Sequence, residues 1–91
     1  MPNYSLVVEL FLGSSLITFD GTVVEAFGTR ATSVGRVHLL ALDHIEVGEN
    51  RKEAFLQLHT IWRTSPVVIM FPKEQRSGAE EFASAVHRAQ R

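Results

Sequence analysis

Four histidines, His38, His44, His59 and His87, are the side chains of this chain best suited to metal or proton chemistry. Zinc ligands close in sequence stand about two to five residues apart, so that one turn or hairpin presents both to the ion. Here His38 and His44 are six apart on different predicted strands, His59 lies on a third strand and His87 in a helix. That spacing predicts four structural histidines and no metal site. Asp43-His44 supplies the acid and base of a hydrolytic triad if a serine such as Ser14, Ser15, Ser33, Ser65 or Ser77 joins it. None of these serines sits in a Gly-x-Ser-x-Gly elbow, and the expectation is a protein with no catalytic residues that is not an enzyme. There are no cysteines, which removes disulfides, thiolate metal centres and cysteine nucleophiles.

Anion chemistry has one candidate, the loop in which Gly28 and Gly35 bracket Arg30, with Arg36 following at once. It is no P-loop, because neither a Gly-Lys-Ser/Thr nor a helix follows to converge backbone amides on phosphate. Arg30 and Arg36 remain the candidate contacts for a small anion or a lipid headgroup. Arg51, Lys52, Lys73 and Arg76 are neutralised in sequence by Glu49, Glu53 and Glu74, which reads as a solvated rim. Nine Lys and Arg against ten Asp and Glu give a net charge of −1, and nothing in that balance favours nucleic acid or an anionic membrane. No cofactor is implied.

Ninety-one residues, 45% hydrophobic and 21% charged, suit a single globular domain over 1–91 in which most large apolar residues serve one core. Seven strands are predicted. Ser5 to Leu12 alternates with Leu6, Val8, Leu10 and Leu12 on the buried parity. Gly13-Ser14-Ser15 turns the chain into Leu16 to Phe19, and Asp20-Gly21 is the expected two-residue turn into Thr22 to Phe27. Arg36 to Leu40, His44 to Gly48, Ala54 to Trp62 and Val67 to Phe71 complete the set, with Ala41-Leu42-Asp43 as a bend. The aromatics Phe11, Phe19, Phe27, Phe55, Trp62, Phe71 and Phe82 lie mostly at apolar strand or helix positions, with core as the default and Phe55 and Trp62 as the two that can face outward.

After Pro72 the period changes. Ala79, Phe82, Ala83, Val86 and Ala89 fall on one helical stripe, and Ser77 with Glu80 has the spacing of a capping box. The fold class is therefore mainly β, with seven antiparallel strands and one C-terminal helix. No apolar run approaches the ~20 residues of a membrane helix. The amino-terminal residues lack a basic region and Glu9 breaks the apolar stretch after them, so a cytoplasmic protein is expected.

Leu16 to Val24, Leu39 to Val47 and Ala79 to Val86, taken in this order, resemble the early hairpin, a recurring strand and the closing helix of short bacterial pleckstrin-homology-like (PH-like) domains. The resemblance implies a partly open barrel or orthogonal sandwich capped by the helix. It also implies binding of phosphoinositides, peptides or proteins through loops, or self-association. Headgroup-binding relatives cluster Lys and Arg around the first hairpin, whereas Leu12-Gly13-Ser14-Ser15-Leu16 has none, so phosphoinositide binding is not expected. The leading expectation is a noncatalytic interaction module, with self-association through a strand edge or a semi-exposed face as one form it can take. Phe55, Gln57, His59 and Ile61 share one strand parity and, with Trp62, form the candidate interaction face.

Overall fold

A computed structural model describes residues 8–28, 35–62 and 66–90. Among these, seven strands form two antiparallel sheets, and one helix follows. The first sheet is a meander of β1 (Val8–Leu12), β2 (Ser15–Phe19), β3 (Val23–Gly28) and β4 (Gly35–His38). The second is β5 (Leu42–Glu49), β6 (Ala54–Thr60) and β7 (Val67–Phe71). The strands do not join into one closed barrel. The helix α1 (Arg76–Ala89) lies along β5 and reaches β1.

Alternation places the core. Leu12, Ile17 and Val24 from the first sheet and Leu56, Leu58 and Ile69 from the second are fully buried in one apolar cluster with Phe71 and Val86. Burying each such side chain contributes about 1.5–3 kcal/mol, so this face-to-face cluster is what holds the sheets together. The predicted burial of the even parity in the first strand is seen at Leu12, with Val8 and Leu10 packed against the core. The part of that strand before Val8 lies outside the described residues.

Several local expectations shift. The second hairpin turns on Gly21-Thr22 instead of Asp20-Gly21, since the Asp20 N–H donates to the Val23 carbonyl at 3.3 Å. Asp20 Oδ1 accepts from the Thr22 and Val23 amides, both at 2.8 Å, so the aspartate anchors the turn from its first corner. Gly21, with φ 98°, takes the positive-φ first position of the turn. The strand expected over Arg36 to Leu40 ends at His38, where a 3₁₀ turn (Leu39–Ala41) begins. His38 Nδ1 accepts from the Leu40 amide at 3.1 Å, which is why the chain bends there.

The expected capping box does not form. The helix begins at Arg76, so Ser77 already lies inside it, and Glu80 pairs instead with Arg76 one turn back at 3.4 Å. Gln75, at the cap position, sends its side chain elsewhere: Oε1 accepts from the Gly13 amide at 2.7 Å and Nε2 donates to the Phe11 carbonyl at 2.8 Å. The glutamine thus pins the β1–β2 turn to the helix entrance. Ala79, Phe82, Ala83 and Val86 are buried as the stripe predicts, while Ala89 is exposed.

Core as the default for the aromatics fails at Phe11 and Phe27, while Trp62 is already a candidate for the surface. Phe19, Phe71 and Phe82 are buried, but Phe11, Phe27 and Trp62 are exposed. Phe11, Leu16 and Phe27 are register partners on the outer parity of β1, β2 and β3, so they form an apolar row on solvent.

Candidate functional site

The bend predicted at Ala41-Leu42-Asp43 starts in the 3₁₀ turn at Ala41 and continues as a β-bulge at Asp43 inside β5. Leu42 pairs with Thr60 and His44 with His59, so two steps on β5 answer one step on β6, and Asp43 is the extra residue. Consequently Asp43 and His44 both face solvent, between buried Leu42 and buried Ile45. Beyond the bulge, regular alternation returns and sends Glu46 outward, opposite Gln57.

The outer surface of β5 and β6 therefore gathers polar side chains that are distant in sequence. The His44 and His59 rings stack, with centroids 4.5 Å apart and planes inclined by 7°. Asp43 Oδ2 lies 2.7 Å from His44 Nδ1. His59 Nε2 lies 3.1 Å from Glu46 Oε1 and 3.0 Å from Gln57 Oε1. A carboxylate oxygen only accepts, so His44 Nδ1 and His59 Nε2 are the donors, and His44 Nε2 carries a free lone pair. One ligand atom each from His44, Glu46 and His59 can be chosen so that all lie within 4.8 Å of one another. The cross-strand register makes this neighbourhood, and the spacing rule for local zinc ligands does not see it.

The helix supports the bulge from its other side. β5 is an edge strand, and its unpaired backbone groups are met by side chains of the last turn of α1. The Ile45 amide donates to His87 Nε2 at 3.0 Å, and Gln90 Nε2 donates to the Leu42 carbonyl at 3.0 Å. These two bonds flank the bulged residue and close the strand edge. At the far end of β5, Glu49 receives Arg76 Nη1 at 2.9 Å and lies 3.8 Å from Lys73 Nζ. The hydrogen bond from Arg76, helped by the charge of Lys73, holds the Glu49 carboxyl below its ordinary range. The basic rim thus finds its neutralising carboxylate across space as well as along the chain.

Of the candidate interaction face, Phe55, Gln57 and His59 do point outward, while Leu56 and Leu58 of the opposite parity are fully buried. Phe55 lies over Gly48, where a Cβ would stand 2.5 Å from Phe55 Cζ. Ile61 and Trp62 are not strand residues, because β6 stops at Thr60. They stand in the following turn, 53% and 67% exposed, and the Ile61 amide donates to the Ala41 carbonyl at 2.9 Å. Leu40, 83% exposed, is next to Ala41, so three large apolar side chains share this corner. Sequence reasoning missed Leu40, since it read that residue as part of a strand.

The anion candidates do not stand together in the described residues. Arg30 lies outside them, and Arg36 is on a strand, with Nε 3.8 Å from Oε2 of its cross-strand partner Glu25. Among the described residues the hydrolytic reading gains the Asp43–His44 contact but no serine partner for His44. Ser14 and Ser15 belong to the β1–β2 hairpin and Ser77 to the opening turn of α1, whereas Ser33 and Ser65 lie outside the described residues. The chain matches no known family model, no curated protein and no solved structure. Among the described residues, no helix is long and apolar enough to cross a membrane.

Proposed function

We propose that this chain is a noncatalytic interaction module of PH-like build that self-associates through its apolar corner. The supporting observation is the grouping of Leu40, Ile61 and Trp62 on two adjoining turns, each more than half exposed. Side chains of this size on one small surface lose water when they meet a complementary surface, and tryptophan is prominent among residues that dominate binding energy. The order of four strands, three strands and a terminal helix supports the PH-like assignment. Arg36 beside Glu25 gives no separate support to headgroup binding.

Sedimentation velocity over a range of protein concentrations tests the module, read together with the emission of Trp62, the one tryptophan in the chain. Association should raise the sedimentation coefficient and shift the emission to the blue as the indole leaves water. Trp62→Ala should then remain monomeric. A wild-type chain that stays monomeric with unchanged emission at every concentration would overturn self-association.

A further inference from the structure

We propose that His44, Glu46 and His59 form a binding site for a divalent first-row transition-metal ion, with Zn²⁺ as the representative ion and Asp43 as the residue that positions His44. Two imidazoles and one carboxylate are the donor set such ions accept, whereas Ca²⁺ and Mg²⁺ favour shells made of oxygen.

The protein has already arranged most of what binding needs. His44 and His59 are register partners, which brings their rings side by side on one face of the sheet. Glu46 is two residues beyond His44 on that same face, and its longer side chain reaches diagonally to His59. Asp43 accepts from His44 Nδ1, which fixes the tautomer whose Nε2 presents a lone pair. A carboxylate behind a ligating imidazole is the usual partner that orients the ring and makes it more basic. The bulge supplies this partner, because it turns Asp43 and His44 to solvent in succession.

Between His59 Nε2 and Glu46 Oε1, 3.1 Å apart, a proton now occupies the place the ion would take. Binding at this nitrogen requires that proton to pass to His59 Nδ1, so that a neutral imidazole nitrogen and the Glu46 carboxylate face the metal. Ligands about 2.0–2.2 Å from a tetrahedral ion stand roughly 3.4 Å from one another. One donor atom from each of the three residues lies within 4.8 Å of the others, so the set must close by about an ångström, which rotation of side chains on solvent allows. His44 and Glu46 are about half exposed, so an ion can enter, and water can complete its coordination. His38 and His87 take no part, since each accepts from a backbone amide elsewhere.

Calorimetric titration of the tag-free chain with Zn²⁺ tests the site, with Co²⁺ absorption as a second reading of coordination. Wild type should bind one ion saturably, and His44→Ala, Glu46→Gln and His59→Ala should each weaken binding at least about tenfold. Asp43→Asn should weaken it about tenfold without moving the melting temperature, which separates positioning of His44 from a role in folding. His38→Ala should bind as wild type does. Circular dichroism checks the fold of each variant; should His59→Ala prove misfolded, the exposed His44 substitution decides. Absence of saturable binding in the wild type, or equal binding by the folded His44 variant, would overturn the site.

Discussion

Replacing His87 with alanine tests whether the helix holds the β5 bulge. The substitution removes the acceptor of the Ile45 amide, a 3.0 Å bond in a part-buried setting at a residue that is only 5% exposed. A buried donor left without a partner costs about 1–3 kcal/mol, and a value in the lower half of that range, about 1.5 kcal/mol, is apt because the site is only part-buried. For a domain of this size each kcal/mol moves the melting temperature by about 4–8 °C, so the expected drop is roughly 6–12 °C. His87→Gln keeps an acceptor at similar reach and should recover much of the loss. Thermal unfolding followed by circular dichroism gives the magnitude, and amide hydrogen exchange gives the place: Ile45 should lose protection more than Leu56 or Leu58 in the core. An unchanged melting temperature together with unchanged Ile45 protection would refute the argument that α1 secures the bulge.

Two glycines of equal apparent crowding should respond differently to alanine. At Gly28, φ is 133° and a Cβ would stand 2.6 Å from the Ser15 Cα, so Gly28→Ala combines backbone strain with a clash against main chain and should cost at least about 2 kcal/mol in urea unfolding. At Gly48 the obstacle is the end of the Phe55 ring, which can swing away, so Gly48→Ala should be markedly milder in the same assay. A Gly48 variant as damaged as the Gly28 one would mean that Phe55 cannot yield. Glu49→Gln addresses the ion cluster at the far end of β5. Because its carboxyl is held below its ordinary value of about 4.5 by Arg76, its contribution is present above that value and disappears as pH falls through the lower folded one. The wild-type advantage over the variant should therefore be seen in melting curves near pH 6 to 7 and vanish well below pH 4; an advantage that grew with acidity would contradict the assignment.

Much of the secondary structure was legible in the chain. Alternation, apolar runs and turn residues together marked the seven strands, and the change to helical spacing after Pro72 marked α1, because burial on one face imposes a period of two on a strand and near 3.6 on a helix. Turn chemistry was legible only to within a residue. Asp20-Gly21 announced a hairpin, yet the aspartate side chain captured two amides and moved the turn one residue on. Ser77 and Glu80 had the spacing of a cap, but the contacts of Gln75 with Phe11 and Gly13 and of Arg76 with Glu49 and Glu80 belong to a helix entrance that starts earlier. Long-range contacts of this kind leave no local signature.

The site shows the same division. Residue types alone determined that there were four imidazoles, no thiols and one Asp-His pair to work with. Only tertiary structure decided that His38 and His87 would spend a ring nitrogen on backbone amides while His44 and His59, fifteen positions apart, would stack. The hairpin register set that pairing, and the extra residue at Asp43 determined which way the neighbouring side chains faced. Strand parity is a property of one segment, whereas register and bulge are properties of two segments in contact. A chain read one segment at a time therefore yields its strands, and the meeting of His44, Glu46 and His59 arises only when β5 and β6 pair.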